Sequence, residues 1–596
     1  MKHRSRLVAV TLGLAWAIGW PAVASAETPV EEAVASFTYT SNMHPLGFSE
    51  RAVPLSGEGS GVFNSDLAFW GRTAIQGTYE GFRLIDVTDP ENPIEIINYT
   101  DCVGGTTTAN QGDVIVWDDI LVRSLNSPAP AGGYACGEVF VPEGGEGLVV
   151  FDIGNPIDPV ALTFVETPCG SHTASGVPDV ANGRLLVFNS PSSGAVGCRG
   201  IDIVQVPLGA PGSASYLRFE PSGDPSPLPF EVVIGAANYQ ATGAEFGPAA
   251  DATGVTAPIV LVNAAPSPDH PAAQPTNGCG PLVGFPAGAI ALVDRGPAGC
   301  GFLLKAQNAQ AAGAAGMIVA NNVAGAPITM GGSDPTITFP SVMVSLDDGN
   351  AIKAALPTAG TIRAAEQPPT PDRSCHDTGV ILGTVNLAAC AGGNGLTVWS
   401  MDPDDGGSLS DPAILYSRTV DGVNIGHSAS FTWDGGVLIF GHEPGGGGQA
   451  QCQATSSVVN RTLFFFEART GAALGTFLHP RPQTATENCT WHNYNVVPTT
   501  KRDILVSGNY QSGISVIDFT NPARAVEIAY ADPAPLSATE LIGGGDWSSY
   551  WYDGRIYESD MRRGLIIWEL SHKAVAGAMK LGHLNPQTQE TSFGGN

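Results

Sequence analysis

A short apolar pattern returns at intervals along this chain. GFRLIDVTDP at 81–90 is matched by GLVVFDIGNP at 147–156 and GISVIDFTNP at 513–522. Weaker copies are GIDIV at 200–204, GLTVW at 395–399 and GLIIW at 564–568. Each copy is a Gly-led apolar strand, and the best end in an Asp-Pro or Asn-Pro turn. Proline has no N–H to give to a ladder, so it marks where the strand stops. Two further strand candidates precede each copy, as at Gly112–Trp117 and Ile120–Ser124, and one follows, as at Pro93–Tyr99. Four short strands in units of about 45 to 65 residues is the arithmetic of a propeller blade, and about seven such units fit the chain.

These copies resemble the LVIVD repeat family, over most of residues 60–225 and 368–570. The resemblance implies a β-propeller and says little about activity. Between Pro221 and Pro369 the repeat stops and Ala becomes abundant. There ALVDRG (291–296), Cys300-x-Phe302-x-x-Lys305, NAQAAGAAGMIVANN (308–322), FPSVMVS (339–345) and DDG (347–349) follow in order. Strand, Ala-faced helix and strand with short links is a β-α-β signature. The run resembles a protease-associated (PA) domain, which implies a lid or protein-contact module without catalysis of its own. The fold class expected is mainly β, a seven-bladed propeller with an inserted α/β PA domain. The division expected is 1–26 signal peptide, 27–225 blades one to three, 226–367 PA domain, 368–575 blades four to seven, and 576–596 tail. A closing strand for the ring is sought in Ala35–Ser41 or in the tail near Met579–Leu584.

Export is read from the N-terminus: basic Lys2, His3, Arg4 and Arg6, an apolar stretch from Leu7 to Trp20, and Ala24-Ser25-Ala26 as a cleavage site. The apolar run is shorter than the roughly 20 residues of a membrane span, so a secreted, extracellular chain cut after Ala26 is expected. With 27 Lys+Arg against 56 Asp+Glu, the net charge of −29 argues against nucleic acid and anionic membrane surfaces. An exported chain with ten cysteines is expected to pair them. No C-x-x-C occurs, which argues against zinc ribbons and dithiol catalysis. Within the blade reading, cysteines before first strands meet those in second-to-third-strand loops on one face. The pairs expected are Cys102–Cys136, Cys169–Cys198, Cys375–Cys390 and Cys452–Cys489, with Cys279–Cys300 inside the PA segment.

Four histidines share one unit position, just before a first strand: His172, His376, His427 and His492. Innermost strands line a propeller's channel, so the four imidazoles are expected near one rim, a candidate transition-metal site. Asp66, Asn110, Asp113 and Asp546 occupy similar places in other units. The alternative is that these are rim residues bonded to nearby backbone. No catalytic residue and no organic cofactor is assigned: Gly426–Ser430 lacks G-x-S-x-G, and His442-Glu443 is not H-E-x-x-H. Gly445–Gly448 reads as a linker loop, and Trp547, Tyr550, Trp551, Tyr552 and Tyr557 as packing residues. The leading function is an extracellular binding protein, monomeric, meeting a protein or peptide through the PA domain or a propeller face. The competing one is a metal-dependent oxidase or hydrolase using the histidine rim.

Overall fold

A computed structural model describes residues 29–51, 63–102, 110–194, 196–222, 230–297, 299–323, 327–365 and 374–591. The expected signal peptide (1–26) and the domain boundaries placed at 225/226 and 367/368 lie outside the described residues. The protein is mainly β. No helix among the described residues is long and apolar enough to cross a membrane.

The repeat units form antiparallel four-stranded groups. The first strands of successive groups are Asn64–Trp70, Val114–Trp117, Thr173–Asp179, Asp377–Ile381, Gly426–Phe431, Asn493–Val496 and Asp546–Tyr552. Each first strand lies against the next, and the last returns to the first. Apolar side chains from both faces of each group fill the spaces between neighbours. Phe82 and Leu84 meet Val149 and Phe151; Val506 and Val516 meet Ile566 and Trp568; and Leu67 and Phe69 of the first group meet Tyr550 and Ile567 of the last. All are less than a tenth exposed, which is why the repeat strands read as unbroken apolar runs rather than as alternating ones.

Close backbone approach explains the glycine that opens each repeat. A Cβ on Gly81 would come within 1.8 Å of the Tyr99 carbonyl oxygen on the paired outer strand, and one on Gly395 within 1.9 Å of that of Arg418. The Asp that ends each strong copy accepts the amide two residues on, Asp86 from Thr88 at 2.8 Å and Asp152 from Gly154 at 2.9 Å, turning the chain outward.

The same contact corrects the expectation for closure. On Gly564 of the last group the offending oxygen, at 2.3 Å, belongs to Ser49. Met43–Glu50, rather than 35–41, is the outer strand of that group, paired antiparallel with Gly564–Leu570 and carrying the same single register shift as the other outer pairs. The first and last parts of the chain therefore share one sheet. Phe37–Tyr39 instead edges the sixth group against Val526–Pro533. The described part of the tail, Met579–Leu584 included, supplies no closing strand. It crosses the space within the first strands, His583–Leu584 pairing with Phe69 and Trp70, and Thr588–Gln589 with Val380 and Ile381. Between them the Asn585 amide both accepts from and donates to the backbone of Val116, at 2.8 Å each way.

The interruption is a closed barrel of seven strands, from Phe230–Ile234 to Thr358–Ala364. Val255–Leu261, Ile290–Asp294, Gly316–Ala320 and Ser341–Val344 run parallel, with helices Phe302–Ala311 and Leu346–Ala354 packed outside them. The helix pivots on Lys305, 1 % exposed, whose ammonium donates to the carbonyls of Asn277 at 2.5 Å and Gly296 at 2.9 Å. The sulfurs pair as 102–136, 169–198, 279–300, 375–390 and 452–489, and five disulfides suit an oxidising, extracellular setting.

Candidate metal centre

Because the four histidines open consecutive first strands, or stand just before them, the ring of strands brings them side by side. Ring centroids step 4.2 Å from His172 to His376, 4.1 Å to His427 and 4.3 Å to His492. His427 and His492 are 3 % and 1 % exposed.

The second strand of each unit runs back toward this end, so the residues just past it arrive at the same place. They are Asn126, Glu443 and Tyr510, none of which the motif search singled out as a site residue. Glu443 is central. Its Oε2 lies 3.7 Å from His427 Nε2 and 3.9 Å from His376 Nε2, and its Oε1 lies 3.5 Å from His492 Nε2. His172 Nε2 is 2.8 Å from His376 Nε2. These are the spacings of ligand atoms sharing one ion at about 2.0–2.2 Å each.

The outer nitrogens decide the tautomers. His492 Nδ1 is 2.6 Å from the carbonyl oxygen of Trp547, an acceptor only, so this nitrogen carries the proton. Ser428 Oγ gives its proton to the His492 carbonyl at 2.5 Å, so it accepts from His427 Nδ1, also at 2.5 Å. Asn126 Oδ1 accepts from His172 Nδ1. Three rings therefore turn unprotonated Nε2 atoms inward, where His172 Nε2 meets His376 Nε2 and His492 Nε2 meets Tyr510 Oη, beside the Glu443 carboxyl. A bound cation takes the place of the protons in such contacts, since the same lone pairs that accept them ligate a metal.

Burial fits that arrangement. It drives His172 down to about 4 and His492 to about 3, and His376 and His427 well below the usual imidazole value, with neighbouring imidazoles adding to the fall for those two. It raises the Glu443 carboxyl to about 8. Tyr510 Oη lies 2.7 Å from Glu443 Oε1 and 2.8 Å from His492 Nε2, a hydroxyl that links the carboxyl to the imidazole. It reaches there from a left-handed backbone, φ +55°, which costs a bulky residue about 1–3 kcal/mol and is locked by paired amide bonds with Asp546 at 2.8 and 2.9 Å.

Beneath the imidazoles lies a cavity of about 20 Å³, room for a water or an ion, also bordered by Asp66, Asp113 and Asp377. Its far side is the tail, where Gln587 Nε2 donates to Asp66 Oδ2 at 2.5 Å. Of the other residues read from sequence, Asp546 is buried and held by Ser549 at 2.6 Å, and Asn110 accepts from the Asn126 amide at 3.0 Å. Trp547 stands 5.0 Å from His492 and belongs to the site, whereas Tyr550, Tyr552 and Tyr557 pack between the last and first groups. Gly445, Gly446 and Gly447 are not a bare linker. They form a left-handed turn, φ +77°, +58° and +68°, against Glu443 and Tyr510.

Among solved structures the chain is similar to the computationally designed Ika8 protein at 10% identity and TM-score 0.38, over 88% of this chain and 99% of that one. It is similar to a zinc aminopeptidase from Bacillus subtilis at 20% identity and TM-score 0.17, over 28% of this chain and 33% of that one. An aminopeptidase from Aneurinibacillus sp. matches at 25% identity and TM-score 0.17, over 24% and 33%. The chain thus spans about a third of the length of these two enzymes. No curated protein matches the chain. The family model of the PA domain matches residues 255–352, and the unit inserted among the repeats contains a PA domain.

Proposed function

We propose that this chain is a secreted seven-bladed propeller of the LVIVD type. The PA unit spans 226–367, ring segments 27–225 and 368–575 flank it, and a tail runs over 576–596. In this reading the channel mouth holds a transition-metal ion, and the chain is a metal-dependent extracellular enzyme. The supporting observation is the gathering of His376, His427 and His492 Nε2 within 3.9 Å of Glu443, with His172 Nε2 against His376 and the protons of His172, His427 and His492 committed to their outer nitrogens. His376, His427 and Glu443 are the nearest to a complete ligand set, and His172 and His492 complete the rim. Imidazole with carboxylate suits iron, copper, nickel and zinc.

The residues fit such an ion. Bound, it supplies Lewis-acid or redox chemistry at the mouth. Ser428, Asn126 and the Trp547 carbonyl orient the imidazoles; Glu443 balances charge; and Tyr510 holds a proton at Glu443 Oε1. Metal analysis of the purified secreted protein tests this. About one equivalent of iron, copper, nickel or zinc, lost in His376→Ala/His427→Ala, is expected. A metal-free, folded protein that stays empty on incubation with each ion overturns it. The PA match favours the second reading, an extracellular protein- or peptide-binding module, which that outcome would restore.

A further inference from the structure

We infer that the groove between the PA barrel and the histidine side of the repeat sheets binds a cationic, extended peptide chain beside the metal centre. The destination rests on the metal reading; the groove itself does not. A cavity of about 20 Å³ admits no organic substrate, so anything larger must lie next to it. One place of that kind adjoins the centre, a groove of about 960 Å³, at the upper end of the range for small-ligand pockets. Only the insertion creates it, since one wall is the PA barrel and the other the loops after the fifth group's second strand.

Its chemistry is one-sided. Asp334 contributes a partly exposed carboxylate, held in place by Gln307 and Thr336, and Glu245 one turned into the wall toward Gly445 and Asn424; Gln449 and Gln451 contribute amides, and no Lys, Arg or His is among the lining residues. An anionic ligand would meet the Asp334 carboxylate, with Glu245 behind it, on a chain of net charge −29. A sugar wants an open aromatic face, and the lining ring, Phe246, is 2 % exposed. Side-chain amides suit a backbone of alternating N–H and C=O, and carboxylates suit Lys or Arg side chains.

The partition between groove and centre is one turn thick. Glu245 Oε1 accepts from the amide of Gly445 at 3.3 Å and from Asn424 Nδ2 at 3.0 Å. Two residues on, Gly447 lies so close to the centre that a Cβ there would stand 2.5 Å from Glu443 Oε1 and 2.3 Å from Tyr510 Oη. A chain in the groove thus rests on the turn that touches Glu443.

Calorimetric titration of the full-length secreted protein at physiological salt tests the inference. The probes are the amidated hexapeptides (Lys-Gly)3 and (Glu-Gly)3 and the neutral sugar maltohexaose. Binding of (Lys-Gly)3 alone is expected, weakened about tenfold or more by Asp334→Asn. Ser457→Trp, whose ring fills the groove from an exposed position, should weaken it as much or more, with metal content unchanged in both variants. Equal binding of the two peptides, preference for the sugar, or (Lys-Gly)3 binding indifferent to both variants overturns the assignment. Stoichiometric metal without peptide binding sinks this inference alone. Peptide binding by a metal-free protein sinks the metal reading alone.

Discussion

Among the described residues two clusters bring metal-ligand residue types together, and they are built for opposite purposes. Cys452, His479 and Cys489 have ligand atoms within 4.8 Å of one another, as do His376, His427 and Glu443. In the first, the sulfurs are bonded to each other, and the His479 ring is placed by Ser512 Oγ at 3.1 Å and by Trp491 at 5.1 Å. The two sulfurs are spent on each other, leaving His479 as a lone candidate ligand, and the disulfide staples the fifth group to the sixth. In the second, hydrogen bonds hold protons on the outer nitrogens of His172, His427 and His492, so their Nε2 lone pairs point inward. Proximity of ligand types is common to both; the direction of free lone pairs separates them.

The largest effect that would sharpen this contrast is on metal content. His376→Ala/His427→Ala should lower affinity by more than about 100-fold, read by elemental analysis after dialysis, while His479→Ala keeps its metal. Metal loss in His479→Ala alone would break the comparison. Next, Cys452→Ser/Cys489→Ser should cost about 2–4 kcal/mol in denaturant unfolding and leave metal stoichiometry intact. Smaller still, Ser428→Ala and Tyr510→Phe should each weaken metal binding by about 10-fold, since both orient ligands without being required ligands themselves. The last effect is confined to acid pH. Burial pushes His479 down to about 3, below its unfolded value near 6.5. The folded chain then binds fewer protons than the unfolded one between those limits. The stability is whole above about pH 6.5 and is lost as pH falls toward 3. His479→Gln should flatten that part of the acid-unfolding curve, followed by circular dichroism.

Much of the strand pattern was legible because its causes are local. The leading glycine answers one backbone contact, the closing Asp caps its own turn, and the apolar runs are buried on both faces. The PA segment was legible for a similar reason: its strands and helix are contiguous. Closure was not legible. Met43–Glu50, with His44 and Pro45 in it, has no repeat signature, and it becomes an outer strand only because Gly564–Leu570 leaves an unpaired edge. Glu443 was weighed only as part of a zinc motif it does not complete, and Tyr510 carried no motif at all, although both hold the same unit position as Asn126, just past a second strand. Comparing units position by position, rather than searching for motifs, is the signal that finds them.

The sequence by itself determined the period of the strands, the foreign origin of the Ala-rich segment, and the shared unit position of His172, His376, His427 and His492. Each of these is written within a few consecutive residues. Which nitrogens face inward, which carboxylate they meet, and what lies beside them were decided by the tertiary structure alone. The reason is that a tautomer is set by the acceptor on the ring's far side, and what makes that acceptor lies dozens of positions away: Asn126 for His172, the Trp547 carbonyl for His492, and for His427 the His492 carbonyl that takes the proton of neighbouring Ser428.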